Sequence, residues 1–330
     1  MSRRILVTGG AGFIGCHLVR HLAGEPGVEV VVVDDFSRGA LDSELEQLSR
    51  GAAVDLVTVD LAQESQLDAI SGRFDEIYHL AAVLGVKRVL DDPLHVLDVN
   101  VVGTLNLLRR LAELEHGRLL FASTSEVYAW TRQFHELPVP TPEDVPLAVT
   151  NLDDARSTYA ASKIVSELAV TQWGKTFGKA VTIVRYHNVY GPRMGFDHVI
   201  PELYQRAVAG QDPLVVYSPK HRRAFCYVDD AVAATVAAAR SSRTEGVTLN
   251  VGNDREEVEI EQLARRLLAA AGIERGIEGA AAANDPVDRR CPDISLARRL
   301  LGYEPRVMLD EGLALTVSWY AKALPPSVPA

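Results

Sequence analysis

A doubly wound α/β fold, with one parallel sheet and a smaller α/β unit toward the C-terminus, is predicted by three observations. The chain opens on a strand-like run, Arg4-Ile5-Leu6-Val7, that passes directly into Thr8-Gly9-Gly10-Ala11-Gly12-Phe13-Ile14-Gly15 and then into an apolar helical pattern. A second run, Val28-Glu29-Val30-Val31-Val32-Val33, is almost continuously apolar, as a parallel strand covered on both faces requires. Further strand-like runs at 53–59, 76–80, 117–122 and 180–185 alternate with helical patterns, which is the signature of βαβ units.

The first turn carries glycines at 9, 12 and 15. That spacing lets a strand turn tightly, brings backbone N–H groups to a pyrophosphate and packs the following helix against the sheet. The second strand ends in Asp34, where an acid meets the adenosine ribose of a dinucleotide. A carboxylate that accepts from the 2′-hydroxyl repels a 2′-phosphate, so NAD is favoured over NADP. The competing reading makes Asp34 and Asp35 a solvated turn before Phe36-Ser37-Arg38-Gly39, with Arg38 serving a phosphate.

Residues 93–114 place Val96, Val99, Leu105 and Leu108 on a helical period, with Asn100 and Thr104 on or near the packed side. A buried asparagine needs partners, so Asn100 is structural or belongs to a site. Beyond about Gly195 the alternation weakens: 211–213 and 217–220 read as loops, Ile260–Ala271 as a helix, 279–283 as a flexible surface connector and 325–330 as a frayed tail. The organisation expected is a dinucleotide-binding domain over 1–195, to which 225–250 returns, and a substrate domain from 196–224 and 251–330.

At 330 residues, 47% of them hydrophobic and 24% charged, the chain has ordinary globular composition. A net charge of −10 argues against a general nucleic-acid binder. Cys16, Cys226 and Cys291 lie too far apart in sequence for metal-ligand spacing or a disulfide framework, and no apolar run is long enough to span a bilayer. A reducing cytoplasm is the location expected, with no metal and no membrane partner, and with no room for a signal peptide before the first strand.

The second constellation is Tyr159-Ala160-Ala161-Ser162-Lys163, with Ser123-Thr124-Ser125-Glu126-Val127-Tyr128 directly after a strand. One helical turn separates Tyr159 from Lys163, so both side chains can face one cleft. A phenol with a reference pKa of about 10 is a poor base at neutral pH, and a nearby ammonium together with a positive nicotinamide ring favours its ionised form. Tyr159 is then the base, Lys163 holds the ribose and tunes it, and the Thr124 hydroxyl shares the alcohol proton of the substrate. An amphipathic helix with an exposed lysine is the plain alternative, which the glycine loop and the Ser/Thr strand end outweigh.

With these motifs the chain resembles the extended short-chain dehydrogenase/reductases, the nucleotide-sugar epimerases, dehydratases and decarboxylases. The likeness runs through Asp60-Leu61, Leu80-Ala81-Ala82, Asn100, Arg185-Tyr186-His187-Asn188-Val189-Tyr190-Gly191-Pro192-Arg193, Arg223-Ala224-Phe225-Cys226-Tyr227-Val228-Asp229-Asp230, Asn250-Val251-Gly252 and Arg290-Cys291-Pro292-Asp293, in the family's order and over nearly the whole chain. It implies a Rossmann-like sheet holding NAD against Gly9, Gly12, Phe13, Ile14, Gly15 and Asp34. Asp60 and Leu61 flank the adenine, the Leu80-Ala81-Ala82 backbone lines the cofactor, and Asn100, Tyr159, Lys163 and Tyr186 complete its site. It implies a UDP-sugar substrate held by Thr124, Ser125, Glu126, Asn188, Arg223 and Arg290, with Arg193 toward a negative group on the sugar. A diphosphate carries about two negative charges that a planar guanidinium matches. Arg222 and Arg289 are then solvated neighbours, and His187, where many relatives have phenylalanine, is a packed histidine. A homodimer through the helices carrying Leu105, Leu108 and Tyr159 is implied as well.

In the mechanism the resemblance implies, Tyr159 removes the O4 proton while a hydride passes from sugar C4 to NAD, leaving a 4-keto sugar. Rotation and hydride return give C4 epimerisation; a carboxylate on C5 leaves as carbon dioxide; a hydroxymethyl group there allows loss of water. Thr124-Ser125-Glu126 looks like the UDP-glucuronate decarboxylases and some dehydratases, whereas Tyr159-Ala160-Ala161-Ser162-Lys163 with Glu167 looks like the epimerases. Ala129-Trp130 departs from the usual Gly-Asp. The sequence reading favours a UDP-hexuronate 4-epimerase converting UDP-glucuronate to UDP-galacturonate, with UDP-glucuronate decarboxylase next and UDP-hexose 4-epimerase or 4,6-dehydratase after it. An NAD-dependent binding module without catalysis would lack Tyr159 or Lys163; both are present.

Overall fold

The computed structural model describes residues 2–37, 42–51, 53–133, 136–281 and 287–323. Arg38 and the tail at 325–330 lie outside them. The strands are β1 (Arg3–Thr8), β2 (Val28–Asp34), β3 (Val54–Thr58), β4 (Phe74–His79), β5 (His116–Thr124), β6 (Val181–Tyr186), β7 (Val189–Tyr190), β8 (Leu214–Tyr217), β9 (Arg222–Ala224), β10 (Cys226–Tyr227), β11 (Thr248–Val251), β12 (Glu257–Glu259), β13 (Ile277–Ala280) and β14 (Arg289–Arg290).

Seven of them form one parallel sheet in the order β11-β6-β5-β4-β1-β2-β3. The chain winds outward from β1 in both directions. The switch point therefore lies between β1 and β4, and a crevice opens there at the carboxyl ends of the strands. The period of two along β1 and β2 divides the core: Ile5, Val7, Val30 and Val32 face one layer with Leu18 and Leu22 of helix Phe13–Ala23. Leu6, Val31 and Val33 face the other, with Leu107 and Leu111 of helix Gly103–Glu113 and Val170 of helix Ser157–Phe177.

The helix expected over 93–114 forms with one wide turn. Helix Pro93–Leu97 passes through a π-turn, Asp98–Val102, before Gly103–Glu113. Within that turn the Asn100 carbonyl accepts from Thr104 Oγ1 at 2.6 Å and Ser166 Oγ at 2.9 Å.

One reading needs correction. Residues 279 and 280 end β13, which pairs in parallel with β8, so they are sheet rather than connector. A run of small residues lacks the side chains that mark a strand, and backbone pairing decides there. Leu108 is buried inside the chain, as its place on the apolar period requires. Exposed apolar side chains near it in sequence or on helix Ser157–Phe177 include Leu94, Leu97, Val102, Val165 and Leu168. No helix among the described residues is long and apolar enough to cross a membrane.

Candidate active site

The crevice at the switch point widens into a cavity of about 1580 Å³. That exceeds the room one small ligand takes and suits a dinucleotide beside a second nucleotide. Its floor is the glycine turn. Gly9 has φ +72°, and a Cβ there would stand 2.6 Å from the Ala81 nitrogen; a Cβ on Gly15 would stand 2.1 Å from the Gly9 carbonyl oxygen. Only glycine lets strand, turn and helix close this far, which leaves the backbone at Gly12 on the cavity wall. Asp34 is held by two amides: Ala11 N donates to Oδ2 and Phe36 N to Oδ1, each at 2.9 Å. Burial raises its pKa, against the pull of those amides and of Arg193. Phe13, Ile14, Asp60, Leu61, Ala82 and Tyr186 line the same cavity. These residues fit a dinucleotide with its adenosine at Asp34.

Tyr159 and Lys163 lie four apart on helix Ser157–Phe177, and both reach the cavity. Lys163 is buried; its Nζ donates to the Ala122 carbonyl at 2.9 Å and sits 4.8 Å from the centre of the Phe121 ring. Burial lowers its pKa to about 8, with Glu167 drawing it back up. Lys163 thus stands one helical turn from the Tyr159 phenol on the same cavity wall.

Behind this wall runs a buried polar network. Arg185 Nε and Nη2 donate to the two oxygens of Glu167 at 2.9 and 2.7 Å, and Ser123 Oγ donates to Glu167 Oε1 at 2.5 Å. Arg185 Nη1 donates to Tyr128 Oη at 2.8 Å, and Tyr128 donates onward to Asn250 Oδ1 at 2.9 Å. Asn250 Nδ2 donates to the carbonyls of Thr141 and Asp293, so its Oδ1 is the acceptor of both Tyr128 and His187 Nε2. The network fixes the end of β5, and with it the segment Thr124-Ser125-Glu126.

Thr124 caps the short 3₁₀ turn Ser125–Tyr128, accepting from Glu126 N at 3.3 Å. The Glu126 side chain reaches the cavity and is ion-paired with Arg290, whose Nη2 donates to Oε2 at 3.2 Å. The register explains which arginines face inward. β14 pairs with β9 so that Arg290 stands beside Arg223, and Arg289 beside Arg222. Arg223 and Arg290 line the cavity. Arg222 and Arg289 turn to Glu257 on the other face.

A family model described as the NAD dependent epimerase/dehydratase family matches residues 5–252. The chain belongs to this family. It is 30% identical, over 97% of its length and 98% of the relative's, to the UDP-N-acetyl-alpha-D-glucosaminuronate decarboxylase of Bacillus cytotoxicus. It is 36% identical, over 98% of its length and 73% of the relative's, to UDP-glucuronic acid decarboxylase 1 of Xenopus tropicalis. Among solved structures it resembles the UDP-glucuronic acid 4-epimerase from Bacillus cereus in complex with UDP-glucuronic acid and NAD, with a TM-score of 0.84 and 26% identity over 97% of this chain and 100% of that one. As a member of the NAD-dependent epimerase/dehydratase family the protein is an enzyme, and its cofactor is NAD.

Asn100, expected against the cofactor, stands behind the cavity wall. It is buried there, accepting from Val83 N at 2.7 Å and donating to the Val83 carbonyl and Ser162 Oγ, each at 3.0 Å. It joins the strand end after β4 to the helix that carries Tyr159. Arg193 lines the cavity, and its guanidinium binds Asp42 and reaches the Gly12 carbonyl. Asn188 lines the cavity with its Nδ2 donating to the Ala224 carbonyl at 3.0 Å. Arg156 was missed by the sequence reading. It lines the cavity one helical turn before Tyr159, and the spacing 156, 159, 163 is the signal that identifies it.

Proposed function

We propose that the protein decarboxylates a UDP-hexuronate, with UDP-glucuronate as the substrate, through a 4-keto sugar, rather than releasing the C4 epimer favoured by the sequence reading. The observation that carries this is Glu126, an ionisable carboxyl in the cavity next to Thr124 and seated by Arg290. An epimerase has to grip the C5 carboxylate through the keto stage, because a carboxylate free to rotate out of the ketone plane is lost. Glu126 is a carboxyl rather than a cationic or amide donor, and Arg193 is bound to Asp42. Two decarboxylases among the relatives point the same way.

In this reading Arg223, Arg290 and Asn188 hold the diphosphate end. Tyr159, with Lys163 as its cationic neighbour, takes the O4 proton, and Thr124 orients that hydroxyl. NAD supplies the hydride acceptor and donor at C4. The C5–carboxyl bond then breaks, its electron pair passes to the C4 carbonyl oxygen as an enolate that Tyr159 and Thr124 stabilise, and carbon dioxide leaves. A proton delivered at C5 through Glu126 gives the 4-keto pentose, and Tyr159 returns its proton to O4 as the carbonyl is reduced. Glu126→Gln should lower the rate of UDP-pentose formation by roughly 10²–10⁴ while UDP still binds. Full activity in that variant would remove Glu126 from the chemistry.

The same proposal assigns 1–195 and 225–250 to the cofactor and 196–224 and 251–330 to the nucleotide sugar. It takes the protein to be a homodimer across the helix face that exposes Leu94, Val165 and Leu168.

A further inference from the structure

The two arginines assigned to the diphosphate stand on a small sheet with little backbone of its own. Its order is β12-β9-β14, and β14 is two residues long. Only the register pairs Arg289 with Arg222 and Arg290 with Arg223 join β14 to β9. Successive residues of a strand face opposite sides, so Arg223 and Arg290 reach the cavity while Arg222 and Arg289 turn to the far face. The position of β14 also fixes the Arg223 guanidinium, which donates to the Val287 carbonyl at 2.7 Å and the Asp288 carbonyl at 3.2 Å, just before that strand.

On the far face a single carboxylate supplies what the short backbone ladder lacks. Glu257 of β12 stands opposite Ala224 of β9, and with only a methyl group in its way its side chain crosses the middle strand to β14. Glu257 Oε1 accepts from Arg289 Nε at 2.6 Å and from Arg222 Nε at 3.3 Å, and Oε2 accepts from Arg289 Nη2 at 2.9 Å. The Glu257 side chain is 12% exposed, and the Arg289 fork holds its carboxyl below the usual carboxylate range. All three strands are therefore joined through one ionised group.

We propose that Glu257 is a positioning residue for the nucleotide diphosphate: by clasping β12, β9 and β14 from behind, it sets Arg290 at its spacing from Arg223 in front. The proposal rests on the reading that these two arginines hold the diphosphate, and it applies whether the sugar is epimerised or decarboxylated. Charge alone predicts the opposite sign. Neutralising Glu257 adds a positive charge to the sheet and would draw a diphosphate in, whereas releasing β14 moves its arginine out of place and weakens binding.

The test is calorimetric titration of the full-length protein with UDP. It is run at about 0.1 M and about 1 M salt, between which the screening length falls from about 10 Å to about 3 Å. Glu257→Gln should weaken UDP binding at least roughly fivefold at both, with the thermal melt confirming a folded chain and NAD binding unchanged. Arg289→Lys keeps the charge and loses the fork, so it should weaken UDP in the same direction, and it decides the matter if Glu257→Gln does not fold. In an Arg290→Met background Glu257→Gln should have a much smaller effect, because its action passes through Arg290. UDP bound as well as by wild type, or more tightly, in folded Glu257→Gln or Arg289→Lys overturns the proposal. So does an undiminished loss in the Arg290→Met background, which would make Glu257 a general support of the fold. Arg290→Met that binds UDP as wild type does removes the diphosphate role of Arg290 itself, and the proposal falls with it; a loss in Arg290→Met without one in Glu257→Gln overturns the role of Glu257 alone.

Discussion

In the proposed function, the chemistry rests on Tyr159 and the cofactor choice on Asp34. Tyr159→Phe deletes a proton acceptor and almost no volume, so turnover should fall by at least roughly 10²-fold while NAD stays bound; unchanged turnover would assign the base elsewhere. Asp34 is held in place by the amides of Ala11 and Phe36 at the end of β2, on the cavity wall. Titration by fluorescence should show NAD binding more tightly than NADP, and equal affinities would remove Asp34 as the selector. The sequence singles out both residues because the glycine turn and the Tyr-x-x-x-Lys spacing are local. The partner of Arg193 could not be read, because a guanidinium reveals its charge in the sequence but not its partner. Asp42 lies 151 residues away, and only the fold brings the two together.

At the scale of elements, the end of β5 is placed by the network behind it rather than by its own residues. Glu167 and Arg185 are both buried, 6% and 5% exposed, and their pairing is bidentate. Removing one partner of such a pair leaves an uncompensated buried charge. Glu167→Gln should therefore cost about 3–5 kcal/mol in chemical denaturation. A loss below about 1 kcal/mol would show that Arg185 finds another partner. Six of the seven strands of the main sheet, β1 to β6, could be read ahead of the structure from their apolar runs, and β11 could not. β13 and β14 could not, since two to four residues with no apolar period carry no signal until a neighbouring strand pairs with them. The π-turn at Asp98–Val102 was invisible for a related reason: it changes the backbone hydrogen bonding and leaves the apolar period on either side intact.

For the whole molecule, two fully buried histidines contribute to its response to acid. Burial lowers the pKa of His79 to about 3 and of His187 to about 4, against 6.5 for each when solvated. Below pH 6.5 the unfolded chain binds protons at these two positions that the folded chain does not, so their contribution to stability falls as the pH drops toward 4. For His187 the loss between pH 7 and pH 5 is about 2 kcal/mol. His187 Nδ1 has no hydrogen-bond partner among the described residues, so His187→Phe gives up the bond to Asn250 and should melt with a smaller difference between pH 7 and pH 5 than wild type. An unchanged difference would place the acid sensitivity elsewhere. The exposed Leu168 belongs to this scale too: Leu168→Glu should shift the light-scattering mass of a dimer to that of one chain, and wild-type protein already at the mass of one chain would refute the dimer. The central claim is decarboxylation, and the mass of the product tests it most directly. UDP-glucuronate incubated with the enzyme in deuterium oxide should give a UDP-pentose that has lost its carboxyl group and carries one deuterium at C5, with no net consumption of NAD. A product that keeps the mass of the substrate and has the opposite configuration at C4 would contradict the account.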